Sequence, residues 1–403
     1  MNKKVRMSKV LIYAGAFMAL LIGSGFATGQ ELMQFFASYG LKGLIGVLIC
    51  FVLFTFVGVE FVTYGHSRSL KNPNDVYKAI AGSKIGSFYD YFSVFFLFLS
   101  YTVMIAGAQA TVVQQYNAPK YIGGILLGVL AIITVAFGLN NIVDVIGRIG
   151  PVIVVLSILI GGISIFKNAS NLSQSLEILN TLNTNHQITH ASDLGFLMAS
   201  LTYVGFNMIW LGAFSATVGK EAENFKEAKK GQIAGAIGFS VAVLIMAFAI
   251  ILSIGKLYDS QIPALILAGD ISPKLGIIFS ITIILGIYTS AVPLLWTPVA
   301  RFFKEGTKDF KIATVLIGAA GIVVGLLFDF NVLVKYVYVI NGYLGIVLLG
   351  IMLYKFFKRK YKIVRNIWLL FLVKLWNDDR KDLTIIIIYL KTIHLSRLCE
   401  MSG

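Results

Sequence analysis

Apolar runs recur along this sequence as far as position 355, and each run has the length of about 20 residues that crosses a lipid bilayer. The bilayer core offers no water to the backbone, so a chain with many such runs folds as a bundle of helices. Only 13% of the 403 residues are charged, whereas soluble domains have about 25%. The sequence therefore predicts an all-α polytopic membrane protein.

The apolar runs divide into ten predicted transmembrane spans. Their predicted bounds are 9–37, 43–65, 88–116, 121–140, 149–166, 192–217, 232–254, 276–300, 312–328 and 331–355. The loops alternate in charge, with 17 Lys and Arg residues on the side of the N-terminal segment and 6 on the other. Because positively charged loops stay in the cytoplasm, both termini are expected there. The N-terminus imitates a signal peptide, but the apolar pattern resumes directly, so we retain the first span.

The segments outside the spans differ in character. The net charge of +15 comes from loops and tail, and does not indicate a nucleic-acid partner. Residues 167–191 are polar, and residues 255–275 are expected to form a re-entrant or surface helix that either caps a vestibule or packs on the surface. Of 39 glycines, 38 lie in the first 360 residues. We therefore expect a membrane domain over 1–358 and a cytoplasmic tail of unassigned role over 359–403.

Two spans contain glycines in an unusual setting. The first span contains "LIGSGFATGQE", in which Gly23, Gly25 and Gly29 either allow close helix packing or break the helix. The sixth contains "LTYVGFNMIW", with Gly205 beside polar Asn207. Interrupted spans at corresponding positions of two halves point to a transporter binding site. Because each half has five spans, the halves take opposite orientations, which predicts a 5+5 inverted repeat over about 8–166 and 192–355, with helices 1 and 6 broken.

The sequence gives little indication of catalysis. It has four histidines, no HExxH motif and no GxxxxGK[ST] phosphate-binding loop, so we expect no enzyme, no cofactor and no use of ATP. The eighth span contains "GIYTS", whose hydroxyl groups either bind a ligand at membrane depth or bond to their own helix. Transport driven by an ion gradient is the activity that this pattern favours.

Several short motifs resemble those of known transporters. Gly23-Ser24-Gly25-Phe26 is similar to the unwound Gly-x-Gly segment in the first helix of the neurotransmitter:sodium symporters, and Tyr203-Val204-Gly205-Phe206 is similar to the unwound segment of their sixth helix. Over residues 8–358, including "GSGFATGQELMQFF", the sequence resembles the bacterial YkvI-type membrane proteins of the amino acid–polyamine–organocation superfamily. This resemblance implies a multi-pass protein of the bacterial plasma membrane.

The resemblance also implies two binding sites. The implied substrate site comprises Gly23, Ser24, Gly25, Phe26, Tyr203, Gly205, Phe206 and Asn207, to which Tyr101 of span 3 is added as a candidate hydroxyl donor or a packing residue. The implied sodium ligands are the backbone oxygens of Ala19, Ile22 and Gly286 and the hydroxyls of Thr289 and Ser290. Five oxygens without a full charge suit a monovalent cation rather than a divalent one.

Acidic residues within spans need a partner, a proton or water. Glu60 looks like the symporters' second-helix glutamate, which implies that it braces helix 6 by accepting bonds from the N–H groups freed at Gly205 and Phe206; alternatively, it lies at the membrane interface. Glu31 and Lys335 either pair as an outer gate or are solvated separately. Span 5 has no ionisable residue, which favours sodium over proton as the coupling ion.

These observations predict a secondary transporter that carries an amino acid or related small zwitterion with sodium by alternating access. Its partners would be the small-molecule substrate and the lipid bilayer, and the sequence leaves the oligomeric state open. The alternative is a receptor-like membrane subunit that binds a small ligand without moving it. Ligand binding without counterflow in proteoliposomes would decide for this alternative.

Overall fold

The structure is a computed structural model that describes residues 5–68, 70, 72–137 and 143–378, with side chains for these residues except 24, 143–151 and 362–378. All regular structure in the described residues is helical. The helices are α1 Met7–Leu21, α2 Ser24–Thr28, α3 Gln30–Phe35, α4 Leu41–Ser67, α5 Asp75–Ala81, α6 Ser83–Tyr116, α7 Ile122–Phe137, α8 Val143–Asn168, α9 Leu172–Thr184, α10 Phe196–Glu221, α11 Phe225–Leu252, α12 Ile254–Leu257, α13 Pro263–Ile271, α14 Pro273–Phe302, α15 Lys308–Leu327, α16 Phe330–Leu333 and α17 Val339–Asp378, with a π-helical turn at Val334–Tyr338 before α17.

Eight helical stretches in the described residues are long and apolar enough to cross a membrane, which confirms a multi-pass membrane protein. They coincide with predicted spans 2, 3 and 5 to 10. The two other predicted spans fall on shorter apolar helices, α1 and α7. The predicted end of span 4, at 138–140, lies outside the described residues. The count of ten spans therefore stays a prediction.

The long helices pack as two groups. In one group α4 packs against α10 and α11, and α1 packs against α11; in the other α6 packs against α7, α14 and α15. Helix α8 contacts α1 and α11 of the first group and α14 of the second. Each group thus combines helices from the first and second halves of the chain, as a repeated architecture would require. The inverted repeat itself remains a prediction.

The predicted break in the first span is present. Helix α1 ends at Leu21, and the N–H of Gly23 donates to Leu21 O at 3.2 Å instead of continuing the helix to Ala19 O. Two short helices, α2 and α3, complete the span. Between them Gly29 has φ +82°, a left-handed conformation that glycine adopts without strain. The first span is therefore interrupted twice.

The predicted break in the sixth span is wrong, because α10 is a continuous helix from Phe196 to Glu221. A methyl group on Gly205 would overlap the backbone oxygen of Gly342, and one on Gly345 would overlap the backbone oxygen of Gly205. These glycines let two helices approach at backbone distance, as small residues do in membrane proteins. Gly205 therefore serves helix packing rather than unwinding.

The predicted short helix in the outer segment 255–275 is present as α13. It packs against α14 and α8, and Ala264, Leu265 and Ala268 are buried. A methyl group on Gly29 would come 3.0 Å from the backbone nitrogen of Ala264, so α13 lies directly over the second interruption of the first span. Of the two expectations for this segment, the structure favours the cap.

Helix α14 contains two prolines, Pro293 and Pro298. A proline has no N–H, so the helical bonds to the carbonyl groups of Thr289 and Leu294, four residues earlier in each case, are missing. The end of α14 is tied to α6, because Arg301 Nη2 donates to Asp90 Oδ2 at 3.0 Å. Arg301 and Asp90 lie at the end of the bundle that the charge pattern places in the cytoplasm.

The C-terminal part of the chain contains the long helix α17, in which both the predicted domain boundary and a division of the structure lie. Contacts within the chain divide it into two compact units, Met1–Leu349 and Gly350–Gly403, and this division falls inside α17. Helix α17 continues to Asp378, and residues from 379 onward lie outside the described residues. The predicted boundary at 358 and the role of the tail remain untested.

Candidate functional site

A cavity of about 290 Å³ lies beside the break in the first span. It is lined from both helix groups, by Ala19 and Leu20 of α1 and Trp210 of α10 on one side and by Leu97 of α6 and Thr289 of α14 on the other. None of the described residues that line it is charged. Its size is near the lower end of small-molecule sites, and its mixture of apolar walls with a few hydroxyl groups is typical of them.

Three of the five predicted sodium ligands line this cavity, namely Ala19, Thr289 and Ser290. The hydroxyl groups of Thr289 and Ser290 each donate to Gly286 O at 3.0 Å. This is the bonding to their own helix that the sequence allowed as an alternative, and it places two donors on Gly286 O, itself a predicted sodium ligand. A hydroxyl oxygen that donates its proton keeps lone pairs, so the role of Thr289 and Ser290 as ion ligands stays a prediction. The structure thus brings the α1 and α14 parts of the predicted ion site to one cavity.

The fifth predicted ligand, Ile22, is buried in the non-helical residues that follow α1. Its neighbour Gly23 also has non-helical backbone angles. Carbonyl groups in such a break are released from the helical pattern, which is the feature that the predicted ion site requires. Ile22 is not among the residues that line the cavity.

Helix α10 carries the predicted substrate residues of the sixth span, but without an unwound segment. Asn207 Nδ2 donates to Tyr203 O at 2.9 Å, so this amide is bonded to its own helix. Phe206 is buried, with its ring 4.6 Å from that of Tyr338. These residues lie on the helix that faces the break in the first span, as predicted. The predicted unwinding of that helix, which was to expose them, is wrong.

The predicted role of Glu60 as a brace is also wrong in the form expected. Glu60 is buried on α4. Glu60 was expected to accept hydrogen bonds from the N–H groups of Gly205 and Phe206. Both groups lie inside the continuous α10, where an N–H bonds to the helix carbonyl four residues earlier. A helix without a break frees no donors for a carboxylate.

Glu31 lies on the break itself. Its side chain is buried, and its Oε2 accepts a hydrogen bond from the hydroxyl group of Tyr203 at 3.2 Å. A methyl group on Gly25 would overlap the Glu31 carboxyl group, so position 25 must be glycine for Glu31 to lie there. Glu31 forms no ion pair with Lys335, which lies in the π-helical turn, and the predicted gate is therefore wrong.

Aromatic rings surround the Glu31–Tyr203 pair. The Tyr203 ring lies 4.9 Å from that of Phe36, 5.2 Å from Phe35 and 6.0 Å from Phe54. Phe26, another predicted substrate residue, is buried with its ring 5.4 Å from Phe239. These rings come from α2, from the end of α3 and the residue that follows it, and from α4, α10 and α11.

Tyr101 lies away from this group. Its ring packs where a side chain at Gly321 of α15 would lie, and its buried hydroxyl group has no hydrogen-bond partner among the described residues. It does not line the cavity. Its ring packs against α15, as the sequence allowed, and its candidate role as a hydroxyl donor stays a prediction. The side chain of Ser24 lies outside the described residues.

Trp210 is a site residue that sequence reasoning missed. Its ring lines the cavity and comes 3.7 Å from the position of a methyl group on Gly23. Its indole N–H is buried without a hydrogen-bond partner in the described residues. A tryptophan within the apolar sixth span is a signal that could have drawn attention to it, because a buried indole normally finds an acceptor.

An interrupted first span beside a cavity between two helix groups defines a membrane protein with a transporter fold. The structure is similar to the Eremococcus coleocola manganese transporter, with a TM-score of 0.55 and 13% identity over 87% of this chain and 80% of that one. It is also similar to Mhp1 in its inward-facing conformation, with a TM-score of 0.50 and 15% identity over 87% of this chain and 78% of that one.

The sequence comparisons agree on the kind of protein. The chain is 22% identical over 346 residues to the membrane protein YkvI of Bacillus subtilis, which covers 85% of this chain and 94% of YkvI. It is 26% identical over 332 residues to YyaD of the same organism, which covers 82% of this chain and 91% of YyaD. No protein-family model matches the chain. The predicted resemblance to YkvI-type membrane proteins is confirmed.

Proposed function

We propose that this protein is a secondary transporter that carries an amino acid or a related small zwitterion together with sodium by alternating access. The observation that carries the proposal is the cavity between the two helix groups at the break in the first span. A ligand in this cavity would contact both helix groups. Movement of one group relative to the other would therefore change the side of the membrane from which the ligand enters the cavity. The transporter fold of the structural relatives supports the same activity.

Sodium is proposed as the coupling ion because the oxygens of the predicted ion site carry no full charge. Thr289 and Ser290 supply two hydroxyl oxygens and Ala19 a carbonyl oxygen released by the break. Such a set suits a weakly held monovalent cation. An ion bound between α1 and α14 would connect the two helix groups, so that occupancy favours one arrangement over the other.

The proposed orientation makes this structure an inward-facing state. The cavity is lined by Asn74 near α5 and by Thr297 near the Arg301 end of α14, both in the half of the bundle that the charge pattern places toward the cytoplasm. The opposite side of the break is packed with aromatic rings. We propose the bacterial plasma membrane, with both termini cytoplasmic, as the location.

The test is a binding and uptake assay on the full chain. The melting temperature of the purified protein is measured with each amino acid in sodium buffer and in choline buffer, and uptake of the stabilising compounds is followed in proteoliposomes. We expect one class of amino acid to stabilise the protein and to accumulate only with an inward sodium gradient. Binding without uptake or counterflow would favour a receptor-like subunit, and equal binding in sodium and choline would exclude sodium coupling.

A further inference from the structure

Glu31 is a buried ionisable group that the proposed function does not yet use. Only 2% of the residue's surface is exposed, and Tyr203 donates its hydroxyl proton to Oε2 at 3.2 Å. The Oε1 atom lies 3.9 Å from the position of a methyl group on Gly23, and the carboxyl group fills the space that a side chain at Gly25 would need. The break that was expected to face a carboxylate of the cargo therefore faces a carboxyl group of the chain itself.

This carboxyl group has no cationic partner within the described part of the chain, because none of the ion pairs there includes Glu31. An ionised carboxylate buried in a membrane without a cation is costly, and ionisable residues in this setting mark the pathways of substrates, ions or protons. The rings of Phe35 and Phe36 pack against Tyr203 beside it. Aromatic faces attract ammonium groups, so the surroundings suit an organic cation.

The side chains of Trp210 and Met104 lie against Gly23 together with the Glu31 carboxyl group. The Trp210 ring, which also lines the cavity, lies 3.7 Å from the position of a methyl group on Gly23, Met104 Cε lies 3.8 Å from it and Glu31 Oε1 lies 3.9 Å from it. Because position 23 is glycine, nothing else of that residue blocks the path. Movement of the Trp210 and Met104 side chains would open a path from the cavity toward Glu31, and the indole N–H of Trp210 has no hydrogen-bond partner in the described residues that would hold its ring in place.

We infer that Glu31 binds the ammonium group of the cargo, so that the transported class is small primary amines, including amino acids held through their amino group. A cargo carboxylate placed at the break would need the space that the Glu31 carboxyl group already fills beside Gly25. A carboxylate on the cargo is therefore unnecessary for binding. This inference rests on the proposed function, because it names the substrate of the same site.

The test uses matched probes that differ in one group. For an isobutyl side chain these are 3-methylbutylamine, leucine and 4-methylpentanoate; for a benzyl side chain they are 2-phenylethylamine, phenylalanine and 3-phenylpropanoate. Binding to the full chain in nanodiscs is measured by calorimetry in sodium buffer. We expect the amine and the amino acid of at least one series to bind and the carboxylic acid of that series to fail. Binding of the acids without the amines would overturn the inference.

The variant Glu31→Gln keeps the shape of the side chain and removes its charge. We expect the affinity for the amine to fall at least about tenfold, since an ammonium–carboxylate bond is among the stronger hydrogen bonds in proteins. The control Glu177→Gln makes the same change on the exposed face of α9 and should leave the affinity within about twofold, a shift too small to reflect a lost bond. Unchanged amine binding by Glu31→Gln would overturn the inference.

A second measurement on the unaltered protein covers the case in which Glu31→Gln does not fold. A hydrophobic carbodiimide modifies buried carboxyl groups, and mass spectrometry of the peptide with Glu31 reports the extent. We expect the bound amine to protect Glu31, whereas an equal concentration of the acid does not. If a bound amine does not protect Glu31 from the carbodiimide, the inference about Glu31 fails, whereas the proposed function stands. Failure of every amine and amino acid to bind or to be transported would overturn the proposed function as well.

Discussion

The first and sixth spans contain similar glycine motifs and use them in opposite ways. In the first span the chain leaves the helix at Ile22 and Gly23, and Gly25 makes room for the carboxyl group of Glu31. In the sixth span the helix continues through Gly205, which makes room for the backbone of another helix at Gly342. One glycine motif thus admits an acidic side chain, and the other admits a neighbouring helix.

The difference shows that the role of a glycine in a membrane helix is set by what occupies the space of its missing side chain. A side chain such as Glu31 has rotatable bonds and a charge, so its position can respond to a ligand. A backbone such as that at Gly342 has neither and serves as a fixed contact. Substitutions at the two glycines should therefore separate loss of binding from loss of folding.

The largest effect is expected for Gly205→Ala. The added methyl group overlaps backbone atoms of Gly342, which cannot move away without displacing a helix. We expect the free energy of unfolding to fall by about 3 kcal/mol, at the upper end of the range for overpacked cores. The measurement is unfolding of the purified protein in detergent.

The control for Gly205→Ala is Gly162→Ala on α8, where nothing lies within 4 Å of the added methyl group. There alanine should be neutral or slightly stabilising, since it is the better helix former. Equal stability of the two variants would contradict the packing role of Gly205 and reopen the question of a break in the sixth span.

Compared with Gly205→Ala, Gly25→Ala is expected to lose less stability and more ligand binding. The methyl group overlaps the end of the Glu31 side chain, which can rotate away, so the loss of stability should be about 1 kcal/mol. Displacement of the carboxyl group from Tyr203 should abolish binding of 3-methylbutylamine and leucine in calorimetry.

Gly15→Ala in the same span is the control for Gly25→Ala, because no atom lies within 4 Å of its added methyl group. It should keep both stability and binding. If Gly25→Ala binds these probes as the unaltered protein does, the first span is no more functional than the sixth, and the comparison between them fails.

The double variant Thr289→Val with Ser290→Ala should leave both the first and the sixth span unchanged. It should affect only the binding of the coupling ion. It removes two hydroxyl groups at the cavity with little change of shape. We expect substrate binding to lose its stimulation by sodium while the melting temperature stays nearly constant. Thr282→Val, on the same helix with a hydroxyl group bonded to Ile278 O, is the control. A sodium response that survives the double variant would remove these residues from the ion site.

The smallest effect is expected for a chain that ends after Lys362. The deletion removes the C-terminal tail, which contains one glycine, Gly403, and lies outside the predicted membrane domain. Membrane insertion, the melting temperature and amino acid binding should all be retained. A truncated chain that no longer folds or binds would show that the two spans depend on residues beyond the predicted domain.

Hydropathy and glycine content predicted the long helices and the break in the first span, because both depend on short stretches of chain. The partner of Gly205 could not be predicted, since it lies far along the chain in the last span. Nothing in the sequence around Gly342 and Gly345 indicates that these glycines pack against Gly205. The bond between Tyr203 and Glu31 likewise joins two distant segments. The predicted pairing of Glu31 with Lys335 used charge alone, whereas the fold places a tyrosine nearer.

The two prolines of α14 give the cavity walls unequal stiffness. The α10 wall, which includes Ile209 and Trp210, belongs to an uninterrupted helix, while the α14 wall at Thr289 and Pro293 lacks two backbone bonds. Local opening requires the least free energy where such bonds are missing. Amide protons of α14 beside the cavity should consequently exchange with deuterium faster than those of α10 across from them, and the cavity should widen on its α14 side.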